Sequence, residues 1–277
     1  MHFWRYSRQE YDWIDDTMRP LQRDFLPADA AIAMRDAGID ACVAVQARQT
    51  LEETRFLLEL AAQTSFIAGV VGWVDLRAAD LDDRLAELSS HRKLVGLRHI
   101  VQAESDDFLR REDFSRGVAR LERYGFAYDV LIYARQLPAA IDFAAALPAE
   151  RLVLDHLGKP DIRGGGFDPW RRDLDRLAKL PHVRAKLSGL VTEADWQAWT
   201  VEDIHRYVHA ALDSFGAERL MIGSDWPVCT MAATYSQVID LVRTAIAERT
   251  ASERAAVMGG TARTFWNLSL VPLERSV

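Results

Sequence analysis

One feature limits what this chain can fold into more than any other. Seven short runs rich in branched apolar residues recur along it, each followed by a segment with helical periodicity. The runs cover residues 41–47, 66–76, 94–100, 127–133, 151–157, 183–188 and 219–225; the helical segments cover 51–64, 80–89, 113–124, 137–146, 170–180, 201–215 and 235–248. Apolar runs of this length, bounded by Gly and Pro, are how parallel strands look, because the helices of βαβ crossovers cover both faces of the sheet. Alternating units close most readily as a (β/α)8 barrel of about 250 residues. The chain of 277 residues is therefore expected to form one α/β barrel domain over 1–277. A further helix is expected at 29–37, and a first strand belongs before it. Only Met1, His2, Phe3 and Trp4 and an irregular stretch to Pro27 remain there, so that strand is expected to be truncated. A doubly wound open sheet is the alternative, but no Gly-x-Gly-x-x-Gly joins a strand to a helix. The Gly164-Gly165-Gly166 loop lacks the Gly-Lys-Ser/Thr that cradles phosphate, so no nucleotide cofactor is expected.

In such barrels chemistry gathers at the C-terminal tips of the strands. The run 219–225 stops in Asp225, followed by Trp226 and Pro227, and that carboxylate is a candidate catalytic group or, more plainly, a turn residue. His156 ends a strand of Leu and Val, where an imidazole has little packing reason to be. In the run 183–188, Val183, Ala185 and Leu187 alternate with Arg184, Lys186 and Ser188. Strand alternation then sends Lys186 and Ser188 into the barrel. Lys186 there either contacts a ligand or sits in a structural ion pair. Arg98 and His99 close the run 94–100, and alternation sends one of the two inward. Arg98 is preferred as a grip for substrate oxygens, with His99 as a polarising or proton-relaying group. Trp4, Trp73 and Trp226 lie near strand ends, as apolar stacking faces for a ligand or as plugs of the barrel. Gln46 and Asp75, also at strand ends, join them as substrate-binding candidates.

Other features read as structural. His205 and His209 stand four apart on an outer helix without the His-Glu-x-x-His context of a zinc helix, and are expected to be solvated. Cys42 and Cys229 form no disulfide framework and suit a reducing compartment. The net charge of -7, with 34 Lys and Arg against 41 Asp and Glu, argues against a nucleic-acid partner. No apolar stretch approaches the roughly 18 residues of a membrane span. A cytoplasmic protein acting on a small molecule is expected, its oligomeric state open.

Four segments carry a resemblance: Asp155-His-Leu-Gly-Lys-Pro160, Lys186-Leu-Ser-Gly-Leu190, Gly223-Ser-Asp-Trp-Pro227 and His2-Phe-Trp4. In this order they resemble the amidohydrolase superfamily, and within it the metal-dependent barrel hydrolases that include sugar lactonases of the L-fucono-1,5-lactonase and L-rhamnono-lactonase type. The likeness runs from His2 to about Leu268. Family members carry a His-x-His pair on the first strand; His2 matches the second histidine and the first has no counterpart. The resemblance implies hydrolysis of a sugar-derived lactone to the aldonic acid. Asp225 would act as general base on water, and His156, His99 or Arg98 would face the developing oxyanion. It also implies a divalent metal, zinc first, held through His2, His156 and Asp225; with one histidine lacking, that metal is expected to be weak or absent. Competing expectations are another lactone such as a pyrone dicarboxylate, a decarboxylase on the same fold, and a catalytically impaired sugar-binding barrel.

Overall fold

The computed structural model describes residues 1–270. Every apolar run contains a strand: β1 Cys42–Val45, β2 Ile67–Gly72, β3 Leu94–His99, β4 Ala127–Val130, β5 Leu152–Leu154, β6 Val183–Leu187 and β7 Leu220–Ile222. They form one parallel seven-stranded sheet in sequence order. The connecting helices are α1 Pro27–Asp36, α2 Leu51–Gln63, α3 Leu81–Ser89, α4 Glu112–Val118, α5 Leu137–Ala146, α6 Phe167–Ala178, a short α7 Leu190–Glu193, α8 Val201–Phe215 and α9 Tyr235–Ala245. The helix expected over 113–124 divides: α4 stops at Val118 and a 3-10 turn covers Glu122–Tyr124. Gly117 there lies directly on the Leu76 carbonyl, where any Cβ would collide with backbone.

Met1 and His2 stand in the place of a first strand. The Met1 ammonium donates to Val43 O at 3.0 Å and Val45 N donates to Met1 O at 2.8 Å, a parallel pairing that brackets Ala44. On the other side His2 N donates to Trp226 O at 2.6 Å, just beyond β7. Two residues thus bridge the open edges of β1 and β7 at the strand tips. Below the bridge a cavity of about 490 Å³ lies between those edges, lined by Met1, Cys42, Val45, Met221 and Trp266 among others. None of its lining residues is His2, His156 or Asp225.

The C-terminal segment carries no periodic signal of its own in the sequence. Helix α10 Ala251–Ala255 runs through a π-helical turn, Ala256–Gly260, into α11 Thr261–Phe265. Phe265 and Trp266 pack against Val45, Val71, Val95, Ala127, Val153 and Met221. Arg151, just before β5, donates to Phe265 O at 2.7 Å. The aromatic pair therefore plugs the N-terminal end of the barrel and leaves the strand tips as its mouth.

Candidate active site

The barrel interior is polar above the plug. Register pairs Arg98 with Asp129 across β3 and β4, and the inward set continues through Asp155, Lys186 and Ser188. Arg98 donates to Asp155 Oδ2 at 2.9 Å and to the Gln46 carbonyl, while Gln46 Nε2 donates to Arg98 O at 3.1 Å. Lys186 contacts Asp129 and stands 2.6 Å from Asp155 Oδ1. All are at least nine-tenths buried. Burial alone would lower the Lys186 ammonium, but Asp129 and Asp155 outweigh it and hold it above its usual value. Burial would likewise raise Asp155, yet Lys186 and Arg98 keep it well below the carboxylate range. At Asp129 burial prevails over Lys186 and pushes the carboxyl up to about 6, which still leaves it ionised at neutral pH. Two cations and two carboxylates neutralise one another here, beneath the mouth. Of the alternatives for Lys186, the ion pair is what the structure shows, and Arg98 is engaged in the same way instead of gripping a ligand.

Directly above, three side chains converge. His2 Nε2 lies 3.2 Å from Asp225 Oδ1, and His156 Nε2 lies 3.7 Å from the same oxygen. His2 Nδ1 is 2.8 Å from Val45 O and His156 Nδ1 is 2.8 Å from Ser188 Oγ. A carbonyl only accepts, so His2 carries its hydrogen on Nδ1 and turns a bare Nε2 towards the carboxylate. Two acceptors then face each other across 3.2 Å, a slot that suits a proton or a cation.

Burial pushes the His2 and His156 imidazoles down, His156 to about 4. Asp225 lies well below the usual carboxylate range: burial opposes this, but His156 and His2, which take up protons before it does, prevail together with Lys159. At neutral pH the cluster is an ionised carboxylate between two neutral imidazoles, and the first protons to enter it go to the imidazoles. His2, His156 and Asp225 are all buried.

The backbone is contorted at the same place. Residues 156–159 all have positive φ, including His156, Leu157 and Lys159, and Asp225 has φ 54°. Non-glycine residues in this region cost on the order of 1–2 kcal/mol each, and such strain concentrates where side chains must be aimed. Trp170 Nε1 donates to Leu157 O at 2.7 Å and holds the turn from outside. Gly189, also left-handed, clears room for the imidazole: a Cβ there would stand 2.6 Å from His156 Nδ1.

The remaining expected residues are spread around this centre. His99 points away from the Arg98 face, stacking on Phe108 with ring centroids 5.2 Å apart and meeting Glu104 Oε1 at 2.9 Å. It contacts those groups instead of the Asp225 cluster because β3 alternation sends Arg98 inward. Trp4 is fully buried against Tyr11 and Phe25, its indole donating to Arg23 O at 2.9 Å, so it is a plug and offers no stacking face. Trp226 is buried edge-on to Phe25. Trp73 and Asp75 are half-buried beyond β2; Asp75 accepts from Arg77 N at 3.0 Å. Cys229 is buried and its thiol pushed up by that burial, which removes it as a thiolate. His205 and His209 bond to carbonyls of α9 and the residue that ends it, at 3.0 Å to Leu241 and 3.1 Å to Ala245; they tie α8 to α9 and are not merely solvated. Sequence reasoning passes over Lys159 and Glu193, paired at 3.4 Å beside the cluster. The position of Lys159, three residues past His156 in the strand-tip segment, is the signal that could have found it.

An amidohydrolase family profile matches residues 1–268. The chain is 49% identical over 273 residues to an L-fucono-1,5-lactonase of Burkholderia multivorans, covering 94% of this chain and 92% of that protein. It is 37% identical over 235 residues to an L-fucono-1,5-lactonase of Burkholderia ambifaria, covering 84% and 81%. A crystal structure of an amidohydrolase from Burkholderia multivorans with bound zinc superposes with a TM-score of 0.93 at 47% identity, covering 97% of each chain.

Proposed function

The chain belongs to the amidohydrolase family, and we propose that it hydrolyses a sugar-derived lactone to the open aldonic acid, with L-fucono-1,5-lactone the first substrate to test. The observation that carries the reading is the slot between His2 Nε2 and Asp225 Oδ1, 3.2 Å wide, at the mouth of the barrel. Water lodged against Asp225 can attack the lactone carbonyl while its proton drops into that slot, where carboxylate and imidazole share it. The pair takes up the proton as one unit, so a carboxylate that alone is a weak base still serves. His156, held by Ser188, presents its Nε2 to the same water and orients it. A neutral polyol lactone also suits the charge pattern. A dicarboxylate substrate calls for several free cations, whereas Arg98 and Lys186 are already neutralised by Asp155 and Asp129.

The same donor set fits a divalent ion. Two imidazole nitrogens and a carboxylate are zinc ligands, and donors around a tetrahedral zinc with bonds of about 2.0–2.1 Å stand about 3.3 Å apart; the observed 3.2 and 3.7 Å bracket that. His2 Nδ1 on Val45 O is the kind of outer hydrogen bond that aims a ligating imidazole. Among the described residues, however, no three His, Cys, Asp or Glu side chains already close into a metal site. Bound there by His2, His156 and Asp225, zinc would supply Lewis-acid polarisation of the carbonyl and a more acidic water. The function is tested by following acid release from L-fucono-1,5-lactone at constant pH against a protein-free blank. A rate no higher than the blank, across a panel of sugar 1,4- and 1,5-lactones, rejects it.

A further inference from the structure

Ester hydrolysis puts negative charge on the carboxyl oxygens, first in the tetrahedral transition state and then in the product. The cluster at the mouth consists of one carboxylate and two imidazoles, with no lysine or arginine among the three side chains. The cations below are locked in ion pairs. Lys159 is placed differently. Its side chain keeps 17% exposure, and its carboxylate partner, Glu193, is 3.4 Å away. Its ammonium also stands 5.3 Å from the centre of the Tyr133 ring. The strained turn that aims His156 ends on Lys159, whose N donates to His156 O at 2.9 Å, so one backbone device places both side chains. Glu193, at the end of α7 just past Gly189, is as partly exposed as Lys159, and the burial it does have pushes its carboxyl up, which weakens it as a competitor for the ammonium.

We propose that Lys159 is a catalytic residue, its Nζ meeting the negative charge on the substrate's carboxyl oxygens in the transition state and in the product carboxylate, with Glu193 as the positioning residue that holds the ammonium at the mouth between turnovers. This rests on the lactonase reading. On binding, the carboxyl oxygens replace Glu193 as the partner of Lys159; no proton or bond beyond those of the hydrolysis is required. Preorganised donors aimed at such oxygens are typically worth about 10²–10³ in kcat.

The test compares wild type, Lys159→Gln, Lys159→Arg and Glu193→Gln for hydrolysis of L-fucono-1,5-lactone and for calorimetric binding of L-fuconate. Lys159→Gln should lose about 10²–10³ in kcat and most of its affinity for the aldonate. Lys159→Arg should recover part of both, and Glu193→Gln should change kcat by less than about tenfold while raising KM. Should the Gln variant fail to fold, Lys159→Met serves as the uncharged form. Turnover and aldonate affinity within twofold of wild type in a folded uncharged variant overturn the proposal. So does an Arg variant as impaired as the uncharged one, which would mark a packing role. A wild-type chain that turns over no lactone yet binds aldonate through Lys159 rejects the lactonase reading and leaves the anchor standing. One that does neither rejects both.

Discussion

Replacing Asp225 with Asn probes the proposed chemistry with little disturbance of the fold. Asp225 sits at φ 54°, a region Asn tolerates better than most residues, so the backbone accepts the change. The Asn amide can donate into the bare His2 Nε2 at 3.2 Å, filling the slot permanently and leaving His2 Nδ1 on Val45 O. Asp225 is held well below the usual carboxylate range, so its ionised form contributes to stability at neutral pH and the melt should drop modestly. What is lost is the vacancy for a proton. General-base removal typically costs about 10²–10⁴ in rate, or about 3–5 kcal/mol of barrier. The wild type should lose activity as pH falls towards 4, because protons entering the cluster on the imidazoles, His156 near 4, occupy the place the water proton must go. In the variant the carboxylate no longer raises either imidazole, and that acidic limb should vanish from the residual rate. The assay is a pH-stat series from about pH 4 to 8 with L-fucono-1,5-lactone, which spans the imidazole and carboxylate range, beside thermal melts of both proteins. Near-normal kcat with an unchanged acidic limb would refute the reasoning; Asp225 would then be a turn residue, and the base would be sought at His156 or Asp75.

Three further outcomes are expected. Zinc should bind through His2, His156 and Asp225, the two imidazoles and one carboxylate of a three-ligand catalytic site, and His2→Ala should lower the zinc content found by elemental analysis; a content unchanged by that substitution contradicts this. Lys186→Met should destabilise the fold by about 3–5 kcal/mol in urea unfolding, since Asp129 and Asp155 lose a buried partner; adding Asp129→Leu should return part of the loss. Gly189→Ala should lower both Tm and kcat, because its Cβ would stand 2.6 Å from His156 Nδ1, where Ser188 now bonds; a folded variant with unchanged kcat would separate His156 from the chemistry.

The strand order and the mouth were legible because they rest on local rules. Branched apolar runs alternating with helical periods define β1 to β7, and parity on β6 put Lys186 and Ser188 on the inner face, where the structure has them. Parity alone does not say what an inward lysine meets. Asp129 lies 57 positions away in sequence, and its meeting with Lys186, like that of Asp155, depends on the stagger of β4, β5 and β6, a property of the sheet and of no single segment. The partners of His99 and Trp4 were illegible for the same reason: each sits at a strand end, but the groups that claim them, Phe108 and Glu104 for one and Tyr11 and Phe25 for the other, come from irregular loops without a periodic signature.

His2 shows how far backbone geometry can stand in for strand length. A pairing this short has no independent stability. Here Met1 is bonded on both its N and O to β1, and His2 N is bonded to Trp226 O past β7, so three backbone bonds set the position of one Cα. The Nδ1 bond to Val45 O then fixes the ring, and Phe3 and Trp4, both fully buried, prevent the segment from sliding. The imidazole reaches Asp225 because its neighbours are pinned to two strands at once. A change that loosens that pinning, in Phe3 or Trp4 far from the reacting atoms, should therefore weaken catalysis through His2 before it unfolds the barrel. Phe3→Ala assayed for kcat beside its thermal melt checks this, and a melt that collapses while kcat holds at permissive temperature would show that His2 keeps its place without them.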